Sequence, residues 1–152
     1  MNVVSITMDK SCLSVEPLGN RYYRLAQDTI ITVATTEGKL VFSVKAGFVS
    51  NFRSGGVLVD TFIDQIGDQN TSLVYLIHDL CYTPCESCNG KHPVTREFAD
   101  EFLRGGLEWA GMGKVKRNIV YYAVRAFGTR AYEEDDHLTE SNMVLFSFNW
   151  VA

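Results

Sequence analysis

DTIITVATTEGKLVFSV, residues 28–44, holds two β-branched, apolar runs separated by TTEG. The segment TTEGK is a turn in which Gly38 can take positive φ, so residues 29–45 are expected to form a β-hairpin. Leu40, Phe42 and Val44 alternate with Val41, Ser43 and Lys45. That period of two belongs to a strand with one better-buried face.

Upstream, Val3, Val4 and Ile6, then Leu13 and Val15, are further short strand-like runs. Downstream, AGFVSNFRSGGVLVD, residues 46–60, contains Gly55 and Gly56 in succession and is expected to be a loop. Leu58, Phe62, Ile63 and Ile66 then fit a short helix with Asp60, Asp64 and Asp68 along another face. A solvated acidic face accounts for such a row better than calcium does. Three helices are expected over about 71–82, 95–110 and 114–127, with Thr95 as N-cap of the second and Gly128 closing the third. EEDDHLTE, 133–140, is acidic and reads as exposed. MVLFSFNWV, 143–151, then places Val144, Phe146, Phe148 and Trp150 on one face of a strand. The expected class is α+β: a small antiparallel N-terminal sheet, a three- to four-helix layer and an apolar C-terminal strand. Residues 1–132 read as one domain and 133–152 as an acidic linker with a terminal interaction strand.

The 152 residues are 46% hydrophobic and 21% charged, an ordinary globular composition. A net charge of −4 gives no general reason to expect nucleic acid as a partner. The opening MNVVSITMDK lacks the pattern of a secretory signal, and no apolar run reaches membrane-spanning length. Synthesis in a cytoplasm is the expectation.

HDLCY, 78–82, ends the apolar run LVYLI and concentrates chemistry in five positions. On a helix His78 and Tyr82 share a face, with Asp79 about 100° round. A neutral imidazole oriented by a carboxylate can take a proton from water, and a second carboxylate can hold a cation. Asp100 on the next helix could supply the additional acid. The competing reading is that His78 only hydrogen-bonds within helix packing. Cys81, Cys85 and Cys88, with His92 four positions further on, have a spacing that could bind zinc. An unliganded loop or a Cys85 to Cys88 disulfide is the simpler alternative. In GKVKRNIVYYAVR, 113–125, the cations could suggest phosphate binding, although a solvated basic helix edge explains them as well.

HDLCY resembles the His-Asp-x-Cys-Tyr pentad of secreted calcium-dependent phospholipases. That resemblance implies His78 as general base, Asp79 as a calcium ligand, Asp100 and Tyr82 as groups orienting the histidine, and RSGG, 53–56, as a carbonyl-bearing calcium loop. The dense disulfide framework of those enzymes is absent. GFVSNFRS at 47–54, HDLCY at 78–82, REFAD at 96–100 and VRAFG at 124–128 resemble, in order, four motifs of a phage-encoded family catalogued as domain of unknown function 1353. This second resemblance implies a site of His78, Asp79, Tyr82 and Asp100, with Ser54 from the loop. Asn51 stands where that family has an acid, and an amide cannot supply a carboxylate.

Two functions are expected from these features. The favoured one is a bacteriophage virion or assembly component, made in the host cytoplasm. It would pack against other phage structural proteins or against itself, with Phe146, Phe148 and Trp150 as the contacting face. The alternative is a small metal-dependent hydrolase, esterase- or phospholipase-like, using the His-Asp site with calcium or zinc.

Overall fold

The computed structural model describes residues 1–20, 22–51, 69–133 and 141–152. Among these, the strands are β1 (Val3–Met8), β2 (Val15–Gly19), β3 (Tyr22–Leu25), β4 (Thr29–Thr35), β5 (Gly38–Val44), β6 (Val49–Ser50) and β7 (Phe146–Val151). The helices are α1 (Gln69–Cys81), α2 (Arg96–Trp109), α3 (Lys114–Phe127) and the short α4 (Thr129–Glu133), with a 3-10 turn at Glu86–Cys88. The architecture is α+β, as expected.

The hairpin sits at the centre. β4 and β5 pair antiparallel from Thr29 with Val44 to Thr35 with Gly38. β1 adds to β4 and β7 adds to β5, giving the order β1-β4-β5-β7. A second antiparallel sheet, β2-β3-β6, takes residues from the segments on either side of the hairpin. β3 and β6 lie in stretches that show no strand pattern, because each is short and held by tertiary pairing rather than by its own periodicity.

The alternation in the hairpin sets the core. Ile31, Val33, Leu40 and Phe42 are wholly buried and Val44 nearly so. Each such side chain contributes roughly 1.5–3 kcal/mol on leaving water. α1 is buried from Ser72 through His78, which is why its apolar run is continuous rather than periodic. α2 starts where Thr95 Oγ1 accepts the Phe98 N–H. It lies tightly on α1 at Gly106, where an added Cβ would stand 2.9 Å from Val74 Cγ1. α3 begins and ends where the helical pattern predicts.

The C-terminal strand forms as expected, and it pairs within the chain. Residues 146–151 pair with β5 in the same chain, from Val44 with Phe146 to Lys39 with Val151. Phe146 is 4% exposed and meets Phe48 edge-on, Phe148 packs on Phe42 at 5.1 Å, and Trp150 packs on Phe98 of α2 at 5.8 Å. The face assigned to a neighbouring subunit is therefore largely turned on this chain, because Leu40, Phe42 and Val44 need a cover along β5. The strand is also shorter than 143–151, and Val144 is exposed. The expected helix around 58–66, the Asp60, Asp64 and Asp68 row, and residues 134–140 of the acidic stretch lie outside the described residues. No helix among the described residues is long and apolar enough to cross a membrane.

Candidate active site

α1 ends by delivering His78, Asp79 and Cys81 into the interior, followed directly by Tyr82. α2 carries Asp100 to the same place. His78 Nε2 lies 2.9 Å from Asp100 Oδ1, and both side chains are buried, at 2% and 0% exposure. Tyr82 Oη donates to the same oxygen at 2.6 Å. Arg125 of α3 donates from Nη1 to Asp100 Oδ2 at 2.8 Å, and Arg96 Nε stands 3.8 Å from that oxygen. Arg96 also donates to the Val124 and Arg125 carbonyls, each at 2.7 Å, so it holds the end of α3 against α2. At Gly128 the chain passes so close to Tyr82 that an added Cβ would stand 2.7 Å from its hydroxyl.

The electrostatics follow from this packing. Burial pushes the Asp100 carboxyl up, but the bonds from His78, Tyr82 and Arg125 outweigh it and leave the group below the ordinary carboxylate value. Burial lowers His78 below its usual value, against the opposing pull of Asp100. The favoured state is thus a neutral imidazole beside an ionised carboxylate. A carboxylate can only accept, so Nε2 carries the proton and Nδ1 is the basic nitrogen. Tyr82 is pushed up by burial and by its bond to Asp100, and it remains a neutral donor.

Asp79 belongs to a second contact. The Ser50 hydroxyl of β6 donates to its Oδ2, and burial pushes the carboxyl up to about 7 despite that bond. Ser50 and Asn51 open the loop whose remaining predicted members, Ser54, Gly55 and Gly56, lie outside the described residues. Asn51 itself is half-buried.

The proposed zinc ligands do not converge. Among the described residues, no group of three or more His, Cys, Asp and Glu side chains is placed to hold a metal ion. Cys81 points into the core, where burial pushes its thiol far up. The Cys85 thiol donates to the Phe146 carbonyl at 3.5 Å. His92 instead stacks on Tyr132 at 3.7 Å, and Tyr132 meets Tyr82 edge-on at 5.2 Å. Asp79 is likewise a lone carboxylate of the expected calcium set among the described residues. Among the described residues, the donors do not make up a site for either ion.

Sequence reasoning brings His78, Asp100 and Tyr82 together correctly and misses Ser50, Arg96, Arg125 and Tyr132. Arg125 reads as part of a solvated basic edge, yet its guanidinium closes on a buried acid. The signal was available: Arg96 and Arg125 are the arginines of the REFAD and VRAFG motifs. HDLCY, REFAD and VRAFG meet at Asp100, and Ser50 of the loop motif reaches the neighbouring Asp79.

Comparison with known proteins gives the chain a family. A family model described as "Protein of unknown function (DUF1353)" matches residues 23–124, which include Ser50, His78, Asp79, Tyr82, Arg96 and Asp100. Neither the curated proteins nor the solved structures contain a match to this chain.

Proposed function

The chain belongs to the DUF1353 family of proteins of unknown function, and on that premise we propose that it is a small hydrolase in which His78 is the general base. The observation that carries this reading is the Asp100 carboxylate, which receives His78 Nε2 and Tyr82 Oη on one oxygen and Arg125 on the other. Such a buried, over-tied acid fixes both the tautomer and the orientation of one imidazole. In the proposed reaction Nδ1 takes a proton from water as the water oxygen bonds to an ester carbonyl carbon. The imidazolium is stabilised by Asp100, and its proton then passes to the departing alkoxide as the ester C–O bond breaks. His78 is 2% exposed, so the reaction requires Nδ1 to be uncovered to substrate. The depressed basicity of His78 keeps the imidazole neutral and ready at neutral pH.

His78→Ala is expected to abolish hydrolysis of a chromogenic carboxylic ester while the circular dichroism spectrum stays that of the parent. Asp100→Asn removes the charge that raises His78, so the acidic limb of the rate profile moves to lower pH as the rate falls. A parent protein inactive on short- and long-chain esters, with and without calcium or zinc, overturns the reading.

A specific observation supports a second reading, that the chain is a phage particle or assembly component. Val115, Tyr122 and Phe127 on α3 are 75%, 62% and 68% exposed and border a cavity of about 510 Å³ with Ile119 and Ala123. An apolar helix face of this kind suits contact with another protein. Quantitative mass spectrometry of purified phage particles tests it: a fixed copy number relative to the major capsid protein is expected, and absence from particles overturns it.

A further inference from the structure

The residues between α1 and α2 fold back as a tight loop in which Cys85 and Lys91 form an isolated antiparallel bridge. Within it, Cys88 N–H donates to the Cys85 carbonyl at 3.0 Å, and Gly90 N–H reaches the same oxygen at 3.0 Å. A turn closed between residues i and i+3 holds their Cα atoms within about 7 Å. Disulfides span roughly 4.4–6.8 Å between Cα atoms. Ser87 Oγ lies 2.9 Å from Cys85 Sγ and 4.0 Å from Cys88 Sγ, so the two thiols flank one hydroxyl. Cys12 is exposed on a separate loop and Cys81 is buried on α1, so neither competes for this pairing.

This turn also grips the outer edge of β7. Cys85 Sγ donates to the Phe146 carbonyl, Glu86 N–H donates to the Met143 carbonyl at 3.1 Å, and Phe148 N–H donates to Ser87 Oγ at 3.4 Å. Three consecutive residues of the turn thus bond the strand or its approach, on the side away from β5.

We infer that Cys85 and Cys88 form a reversible disulfide that stiffens this turn and so fastens the free edge of β7. Cys88 is half-buried and Cys85 fully buried, which assigns the steps. The Cys88 thiolate attacks a small-molecule disulfide, forming a mixed disulfide and releasing one thiol. The Cys85 thiolate then attacks the Cys88 sulfur, forming the protein S–S bond and releasing the second thiol. The protein loses two electrons and two protons, and the oxidant is reduced to two thiols. Burial and the facing Cys85 push the Cys88 thiol up to about 11, so the first step is slow at neutral pH and quickens in base. Oxidation removes only the weak S–H donor to the Phe146 carbonyl, while the bonds from Glu86 and to Ser87 persist.

The test oxidises the reduced full-length chain with excess glutathione disulfide at about pH 8.5, then maps cysteines by alkylation under denaturing conditions. Cys85 and Cys88 are expected as one linked peptide lighter by two hydrogens, with Cys81 alkylated and Cys12 carrying glutathione. Cys88 recovered alkylated or with glutathione attached overturns the pairing. Cys85→Ser should trap glutathione on Cys88, and failure to trap overturns the order of attack. The Phe148 amide should exchange with solvent roughly tenfold more slowly in the oxidised protein. Equal exchange in both states overturns the fastening role, independently of any hydrolase activity.

Discussion

A methyl group at position 128 would run into the Val124 carbonyl oxygen and sit 2.7 Å from the Tyr82 hydroxyl. The first neighbour is backbone and cannot yield cheaply. Gly128→Ala is therefore expected to cost about 1–3 kcal/mol in urea unfolding, with Tyr82 displaced from Asp100. An unchanged midpoint would mean that α3 can shift its end freely. Asp79 gives a prediction in pH. Its carboxyl titrates near 7 in the fold against 3.8 ordinarily, so the folded chain binds the extra proton between those values. The contribution is fully present below about pH 4 and is lost as pH rises through about 7. Asp79→Asn keeps an acceptor for Ser50 and removes this dependence. The stability difference between variant and parent should shift toward the variant by up to about 1.4 kcal/mol per pH unit, less where water screens the partly exposed group. A difference that does not change between pH 5 and 8 would show that Asp79 titrates normally.

Among the elements, β7 has the most to lose. Phe146→Ala removes a buried ring from the junction of both sheets and is expected to cost about 3–5 kcal/mol. Deleting residues 146–151 uncovers the Phe42 face and the β5 edge together, and the truncated chain should lose its cooperative unfolding transition. A sharp transition in that truncation would show that β7 is an accessory strand. How far each element was legible depended on where its partners lie. The hairpin could be read because its pairing is local and its turn chemistry explicit. α2 and α3 could be read from caps and spacing, Thr95 and Gly128 above all. β7 could be read as a strand but not placed, because nothing in FSFNWV says that its partner lies roughly 100 residues upstream. Ser50 escaped notice in β6 for a similar reason: a two-residue strand has no period.

Across the whole molecule, the site draws on α1, α2 and α3 at once, and its acid lies at the centre. His78 and Tyr82 were legible because a helix puts positions four apart on one face. Asp100 was legible once two helices were taken to pack. Arg125 was not, since a cation on an amphipathic helix looks solvated until the buried acid beneath it is known. Asp100→Ala strands the Arg125 guanidinium and leaves His78 and Tyr82 without their acceptor. A loss of about 3–5 kcal/mol is expected, measurable by denaturant titration at neutral pH. A near-neutral effect would mean that water replaces the carboxylate. The order of the strands has a further consequence during synthesis. A ribosome adding roughly 5–20 residues per second makes β5 long before β7. For several seconds or more, the β5 edge and its apolar face stand open on the nascent chain. In that interval the chain presents a β-branched edge to any other strand it meets. Crowded translation is then a condition that exposes this fold to mispairing before β7 is made.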